Sequence, residues 1–438
     1  MQKKNIIYAL TIFLFLLVIF VFRELPIRVE TVPATVSLPR ITWINSKSDT
    51  ERFTQTQVHI SNDTGVTLIC PEKKPVFPTE DILCMEPPRY SPSYRNPCWY
   101  PDDSDKLSCL PYFLQIGMSK CATTDLFSRL ISHPDIIPLS GVNGKNKSIT
   151  WWNLRLTGST WQPPYSGGKR ENFKQYSEYF SNAAKVIESN KDQTGFHGKV
   201  TGEGSPTYLW MLYLWNRIPQ NTYLTKPKVL VPHLIRHVLP KTKFIVTLRD
   251  PIERMYSSYH FFNKDKKYDK FAFHETMNFA IDKFMECKAM KGDRQCVLDP
   301  DLRATISTKV RLLNSMYYLY IKEWLDVFPR EQFIFIKMEE YVTNKEEVLN
   351  RIFKFLGLST LSPAEMKKYG LLLTKIRNKT KGGKQYEPML NATREMLYNL
   401  YDPYTKMLPQ LLNDPSFAWS KVSYEEYVQR MLRKKVAG

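Results

Sequence analysis

Pro111-Tyr-Phe-Leu-Gln-Ile-Gly-Met-Ser-Lys-Cys-Ala-Thr-Thr-Asp-Leu-Phe127 decides the fold. Its apolar run, Tyr112 to Ile116, reads as a buried strand, Gly117 to Ala122 as a tight polar turn, and Thr123 onward as the first turn of a helix. Gly117 lets the backbone bend where a side chain would obstruct. The amides of Cys121, Ala122, Thr123 and Thr124 open the helix toward an anion, and Lys120 adds a full positive charge. The stretch reads as a phosphate cradle. On this motif alone, a plain strand-helix junction with a solvated lysine is an equal alternative.

The spacing departs from the nucleotide-triphosphate P-loop, G-x-x-x-x-G-K-[ST]. Cys121 follows Lys120 where a hydroxyl should hold Mg²⁺, so a lumenal nucleotide kinase is disfavoured. Working outward, the rest of the chain from Pro111 suits one α/β domain. Lys243-Phe-Ile-Val-Thr-Leu-Arg249 reads as a second buried parallel strand, closed by an N-cap acid, Asp250, and an N1 proline, Pro251, that open a helix to about Phe262. Phe333-Ile-Phe-Ile-Lys337 reads as a third, followed by a capping box, Thr343-Asn-Lys-Glu346, and a helix that stops at Gly357. Between them Val310, Leu313, Tyr317, Tyr320, Ile321, Trp324, Leu325 and Phe328 recur at helical spacing and read as core. Arg249 stands at the carboxyl end of its strand, where open α/β sheets bind ligands, so it points to the same crevice as Lys120. Its guanidinium suits a dianionic phosphate, and the Ser257 hydroxyl, two helical turns later, completes that site.

Residues 5–22 carry no charge and, at about 1.5 Å per residue, cross most of a hydrocarbon core of about 30 Å. The run is longer than a signal-peptide core and lacks a small-residue cleavage site, which predicts a type II signal anchor rather than a cleaved leader. The expected order is a cytosolic tail (1–4), a transmembrane anchor (5–22), an extended stem (23–66), a cysteine- and proline-rich collar (67–110) and a catalytic domain (111–438). Asn62, Asn146, Asn378 and Asn391 head glycosylation triplets, which agrees with a lumenal chain. Of the seven cysteines, Cys70, Cys84, Cys98 and Cys109 cluster ahead of the cradle, and Cys287 and Cys296 lie close together in a polar insert. In an oxidising lumen these can form three bridges, which leaves Cys121 as a free thiol; zinc is a weaker alternative. The formal charge of +19 points to a polyanionic partner. In a lumen that is a glycosaminoglycan or another sulfated or sialylated glycan, and not nucleic acid; a merely soluble basic surface stays open.

Leu248-Arg-Asp-Pro-Ile-Glu-Arg-Met-Tyr-Ser-Ser-Tyr259 resembles the 3′-phosphate-binding motif R-D-P-x-x-R-x-x-S-x-[YF] of sulfotransferases that use 3′-phosphoadenosine 5′-phosphosulfate (PAPS), and Gly117 to Thr124 resembles their 5′-phosphosulfate loop. Thr201-Gly-Glu-Gly-Ser-Pro-Thr-Tyr208, Trp324 to Gln332, Met338-Glu-Glu340, Lys381-Gly-Gly-Lys384, Tyr398 to Pro403 and Phe417 to Trp419 follow in the family's order, over about residues 110 to 420. The resemblance to Golgi carbohydrate sulfotransferases implies a P-loop-like α/β domain with a central parallel sheet flanked by helices. It implies PAPS as sulfate donor with no metal, and a donor site of Lys120, Cys121, Ala122, Thr123, Thr124, Arg249, Ser257, Lys381, Gly382, Gly383 and Lys384. It also implies catalysis by Lys120, which neutralises the leaving phosphate, and Glu203, which takes the hydroxyl proton. The acceptor implied is a glycosaminoglycan hydroxyl, expected to be the 6-hydroxyl of N-acetylgalactosamine 4-sulfate in chondroitin or dermatan chains. Heparan sulfate, another glycan, or a silent glycan-binding protein of the same fold are the alternatives. Many members carry Gly at the position of Ala122, so a positive φ there would cost energy and a helical φ would not. His233, His237 and His260 are alternative bases that read as packed or solvated. Trp151-Trp152 reads either as a sugar-stacking pair or as core and rim. Lys264 to Lys267 and Lys367-Lys368 read as solvated faces or as an acceptor groove.

Overall fold

A computed structural model of the chain describes residues 41–44, 55–60, 67–71, 81–139, 147–161, 163, 165–263, 269–307, 310–372 and 387–419. Residues 5–22 lie outside these, as do Asn62, Asn146, Asn378, Lys264 to Lys267, and the Lys381, Gly382, Gly383 and Lys384 loop. Among the described residues no helix is long and apolar enough to cross a membrane.

Five strands build the sheet that positions the site: β1 (Phe113–Gly117), β2 (Ile136–Ile137), β3 (Val200–Gly204), β4 (Lys243–Leu248) and β5 (Phe333–Lys337). Their order is β5-β4-β1-β3-β2, every pair parallel, with Phe113 opposite both Lys243 and Gly202 and Phe333 opposite Phe244. β1 and β4 lie inside the sheet and are covered on both faces, which explains why they read as unbroken apolar runs. β3 has no such signature. Its Val-Thr-Gly-Glu-Gly is a strand because close approach requires the glycines: a Cβ on Gly204 would stand 2.7 Å from the Phe127 ring.

The helices are α1 (Thr123–Leu130), α2 (Pro251–Phe262), α3 (Lys270–Lys291), α4 (Tyr317–Leu325), α5 (Lys345–Leu356) and α6 (Asn391–Leu412), joined by shorter turns. α1 and α5 bury one face against the sheet through Leu126, Phe127, Leu130, Ile352 and Phe353, which meet Phe113, Ile245 and Ile336. Each such side chain contributes about 1.5–3 kcal/mol of burial. A buried pair, Arg129 Nε to Asp125 Oδ2 at 2.9 Å, and the Tyr341 hydroxyl, which donates to the same carboxylate at 2.7 Å, fix α1 in place.

α2 starts as its sequence predicts, with the Asp250 carboxylate accepting the Ile252 and Glu253 N–H groups at 2.9 Å and Pro251 in the first turn. The capping box expected for α5 does not form. A short helix, Met338–Thr343, begins directly after β5 and absorbs Thr343, whose hydroxyl donates to the Glu339 and Glu340 carbonyls at 3.1 Å. α5 still ends at Gly357, in the left-handed region at φ +72°. The stripe from Val310 to Phe328 is core, divided between a turn, Leu312–Ser315, and α4.

Ahead of the sheet, Cys98–Trp99 and Ser108–Cys109 form a small hairpin closed by a Cys98–Cys109 disulfide. Cys287, on α3, is bonded to Cys296, and Cys84 is likewise oxidised. Cys121 is free and buried. Asn391 is exposed at the start of α6, with Thr393 buried and 2.7 Å from His274 Nδ1. Residues up to Cys70 form a separate unit. Within the segment read as a stem, Ile41–Ile44 and Gln55–Ile60 pair as antiparallel strands, in keeping with their β-branched residues.

Candidate active site

β1 ends at Gly117, where a Cβ would stand 2.8 Å from Leu209. The loop that follows is tied to β4 by the Met118 N–H, which donates to the Thr247 carbonyl at 2.7 Å. Lys120 and Ala122 both take positive φ, 72° and 58°. The expectation of a cost at Ala122 is therefore the relevant one, about 1 kcal/mol for a non-glycine residue in the left-handed region. In return the backbone reverses into α1 with no side chain capping its first turn. Those N–H groups face a cavity of about 880 Å³, lined here by Ser119, Lys120, Ala122, Thr123 and Thr124.

Lys120, Arg249 and Arg311 line this cavity with one acid, Asp125, and Lys147 and Arg254 lie outside the lining. Lys120 Nζ lies 3.8 Å from the centroid of the Phe261 ring. Burial, with Arg249 and Arg254 adding repulsion, lowers its pKa to about 8. Lys147, whose Nζ is 3.3 Å from Thr124 Oγ1, is lowered to about 7 by burial. Arg249 sits beyond the carboxyl end of β4, its carbonyl accepting the Tyr317 hydroxyl at 2.9 Å and its guanidinium 3.8 Å from Glu253. Arg249 and Ser257 both line the cavity, one turn of α2 and a strand end converging as predicted. Behind them Arg254 is fully buried, donating to Ser315 Oγ at 2.6 Å and the Arg311 carbonyl at 2.9 Å. Cys121 does not line the cavity, and burial pushes its thiol up to about 12, an unreactive cysteine.

Much of the cavity wall is aromatic: Trp161, Tyr165, Trp210, Tyr213, Phe261 and Phe262 line it, together with Arg311. Trp210 Nε1 donates to Ser119 Oγ at 3.3 Å, so this wall is joined to the phosphate loop. None of these residues carries a sequence signal beyond being aromatic or basic, and the wall went unpredicted, as did Lys147, hidden inside a glycosylation triplet. Trp151 and Trp152, by contrast, are core: both are 0% exposed, edge to face at 4.9 Å, with Trp152 Nε1 donating to the Tyr176 hydroxyl at 3.1 Å. Neither is placed to stack on a sugar.

Glu203 does not line the cavity. It is 0% exposed, and its carboxylate accepts hydroxyl hydrogen bonds from Ser205 at 2.5 Å, Tyr208 at 2.6 Å and Tyr176 at 2.7 Å. Burial raises its pKa against the opposing pull of those donors. The three histidines are packed and none lines the cavity. Burial lowers His233 and His260 to about 4, and His237 Nε2 sits 2.7 Å from the Met85 carbonyl. Lys367 and Lys368 are exposed at the end of a short helix, Pro363–Lys368, away from the cavity lining.

Residues 165–389, just over half the chain, match the family described as Sulfotransferase domain. Human carbohydrate sulfotransferase 15 is 31% identical over 326 residues, covering 72% of this chain and 55% of that protein, and the rat protein of the same name matches equally. The chain thus spans about half the length of the curated relatives it matches. Human bifunctional heparan sulfate N-deacetylase/N-sulfotransferase 3 is 24% identical over 355 residues, 75% of this chain and 33% of that protein. A solved structure, the sulfotransferase from Alicyclobacillus acidocaldarius, aligns at 20% identity with a TM-score of 0.44, over 70% of this chain and 96% of that one. With its parallel sheet flanked by helices and these relatives, the chain belongs to the sulfotransferase family.

Proposed function

We propose that this protein transfers a sulfuryl group from PAPS to a hydroxyl of an anionic glycosaminoglycan. One observation carries the reading: Lys120, Thr123 and Thr124 from the end of β1, and Arg249 and Ser257 from the end of β4, line a single cavity. PAPS bears phosphate groups at both ends of its ribose, and the site supplies a cationic group for each. The uncapped first turn of α1 and Lys120 suit the 5′-phosphosulfate, with Lys147 outside the lining but beside Thr124, and Arg249 and Ser257 suit the 3′-phosphate. Lys381, Gly382, Gly383 and Lys384, outside the described residues, are proposed as donor-binding on the family resemblance alone.

Positioning and electrostatics do the main work in such a transfer, by analogy with phosphoryl transfer. Lys120, protonated, holds the charge that develops on the bridging oxygen as its bond to sulfur breaks. Glu203 is proposed as the base that takes the acceptor's proton. Ser205, on the turn that also carries the cavity-lining Pro206 and Thr207, is the donor for an entering hydroxyl to replace. A carboxylate whose pKa is raised by burial is the stronger base for that step.

The 6-hydroxyl of N-acetylgalactosamine 4-sulfate in chondroitin or dermatan is the proposed acceptor, supported by the likeness to carbohydrate sulfotransferase 15 and by a formal charge of +19. Golgi localisation through an anchor at residues 5–22 is proposed on the apolar run there. The test is incubation of the full chain in detergent with radiolabelled PAPS and chondroitin, dermatan or heparan sulfate, followed by disaccharide analysis. Label on the 4,6-disulfated N-acetylgalactosamine disaccharide, lost in Lys120→Ala, is expected; label on a heparan disaccharide moves the acceptor, and label on no chain overturns the reading.

A further inference from the structure

We propose that Arg311, on the cavity wall that it shares with Tyr165, Trp210 and Tyr213, forms an acceptor subsite: its guanidinium takes an anionic group on the chain, a sulfate ester or a carboxylate, and the exposed ring of Trp161 on the same cavity takes the face of a sugar. The inference rests on the sulfotransferase reading and deepens it. Its first ground is placement. The donor side of the cavity belongs to the carboxyl ends of β1 and β4 with α1 and α2, whereas Trp210 and Tyr213 follow β3, which flanks β1 on the side away from β4. The lining that follows β3 is not among the residues named for the donor's two phosphates, and Arg311 lies against Phe262 at the end of α2. Trp210 donates to Ser119, the residue next to Lys120, so this wall adjoins the loop that carries Lys120.

The second ground is charge. Arg311 is partly buried and lines the cavity, with its guanidinium carbon 4.8 Å from the centroid of Phe262. No carboxylate among the described residues makes an ion pair with it, whereas Arg249, the other arginine of the cavity lining, has Glu253 at 3.8 Å. Burial is the main cost to its charge, and the neighbouring arginines, Arg303 and Arg254, add repulsion. Arg303 and Arg254 are already spent on the fold: Arg303 donates to Asn314 Oδ1 and to the Tyr320 hydroxyl at 2.5 Å and lies under Tyr213, 4.8 Å from its ring, while Arg254 is bound to Ser315. Arg311 alone in this group presents a guanidinium to the cavity without a carboxylate. A planar fork of donors suits a sulfate ester or a carboxylate, and a lysine cannot reproduce it.

The experiment is equilibrium binding to the full chain, saturated with adenosine 3′,5′-bisphosphate (PAP), of three hexasaccharides: chondroitin 4-sulfate, the desulfated chain and the carboxyl-reduced 4-sulfated chain. The wild type should bind the first and lose about tenfold or more when the recognised group, sulfate or carboxylate, is removed. Arg311→Ala should lose a similar factor on the intact chain and nothing further on the chain lacking that group, with PAP affinity and unfolding temperature unchanged and Arg311→Lys giving only partial rescue. Equal losses on all three chains, intact-chain binding unaffected by Arg311→Ala, or loss of PAP binding overturns the assignment. Binding without sulfate transfer by the wild type would leave the subsite standing and count against the catalytic reading instead.

Discussion

Lys120 Nζ lies over the ring of Phe261, 3.8 Å from its centroid, so the principal cation of the phosphate loop rests on an aromatic face and has no counter-ion among the described ion pairs. That setting makes donor binding sensitive to pH. Burial and the neighbouring arginines lower Lys120 to about 8, and burial lowers Lys147 to about 7. A dianionic donor favours the protonated lysines, so affinity is complete below pH 7 and falls as pH rises past 7 and then 8, by up to about tenfold per pH unit for each proton taken up. Titration calorimetry with PAP from pH 6 to 9.5 checks this. Lys120→Arg, charged throughout, should flatten the part of the fall above pH 8; an unchanged profile would assign the titration elsewhere.

Ala122 stands at φ 58°. Ala122→Gly removes the steric cost of that conformation, and the net gain in stability should be about 0.5–1 kcal/mol after the extra entropy of the unfolded glycine is counted. Denaturant titration measures it, and a loss of stability would show that the left-handed turn is not the native one.

Glu203 braces three hydroxyls and is also the proposed base, and two readouts separate the roles. If it is the base, Glu203→Gln lowers kcat by about 10²–10⁴ while PAP affinity holds. Because burial raises its pKa, the wild-type acid limb of kcat/KM should lie above the ordinary glutamate value of about 4.3, with activity lost as pH falls through it. That limb should vanish in Glu203→Gln. A limb that persists unchanged in the variant would make Glu203 a brace only.

The Cys98–Cys109 bridge closes a short loop, with a sequence separation of 11. Replacing both cysteines by serine should cost about 2–4 kcal/mol, read by denaturant unfolding. In the same protein Cys121, buried and pushed up to about 12, should resist alkylation until the chain unfolds. Rapid labelling of the native protein would place the thiol at the surface.

How far such features could be read from sequence depended on how local their causes are. β1, β4 and β5 are apolar on both faces, and α2 opens on an acid and a proline, so each announces itself within a few residues. The proposed donor side has local causes too: Lys120, Arg249 and Ser257 occupy strand ends and a helix turn whose geometry the local pattern dictates, and they line one cavity. β3 was hidden because its glycines answer to Phe113 and Phe127, distant in sequence. Trp151 and Trp152 read equally as a sugar-stacking pair or as core and rim because adjacency says nothing of burial, and both are core. Tyr165, Trp210, Tyr213 and Arg311 meet only through the tertiary fold, and Thr343 failed as a cap because the preceding helix had already taken it.

The central claim is that one cavity clamps both phosphate ends of PAPS, and the affinity of the full chain for PAP measured against that for adenosine 5′-monophosphate tests it most directly. PAP should bind more tightly than the monophosphate by about tenfold or more. Arg249→Ala should abolish that difference, while Lys120→Ala should weaken both ligands alike. Equal affinity for the two nucleotides in the wild type, or a preference for PAP that survives Arg249→Ala, would contradict the account.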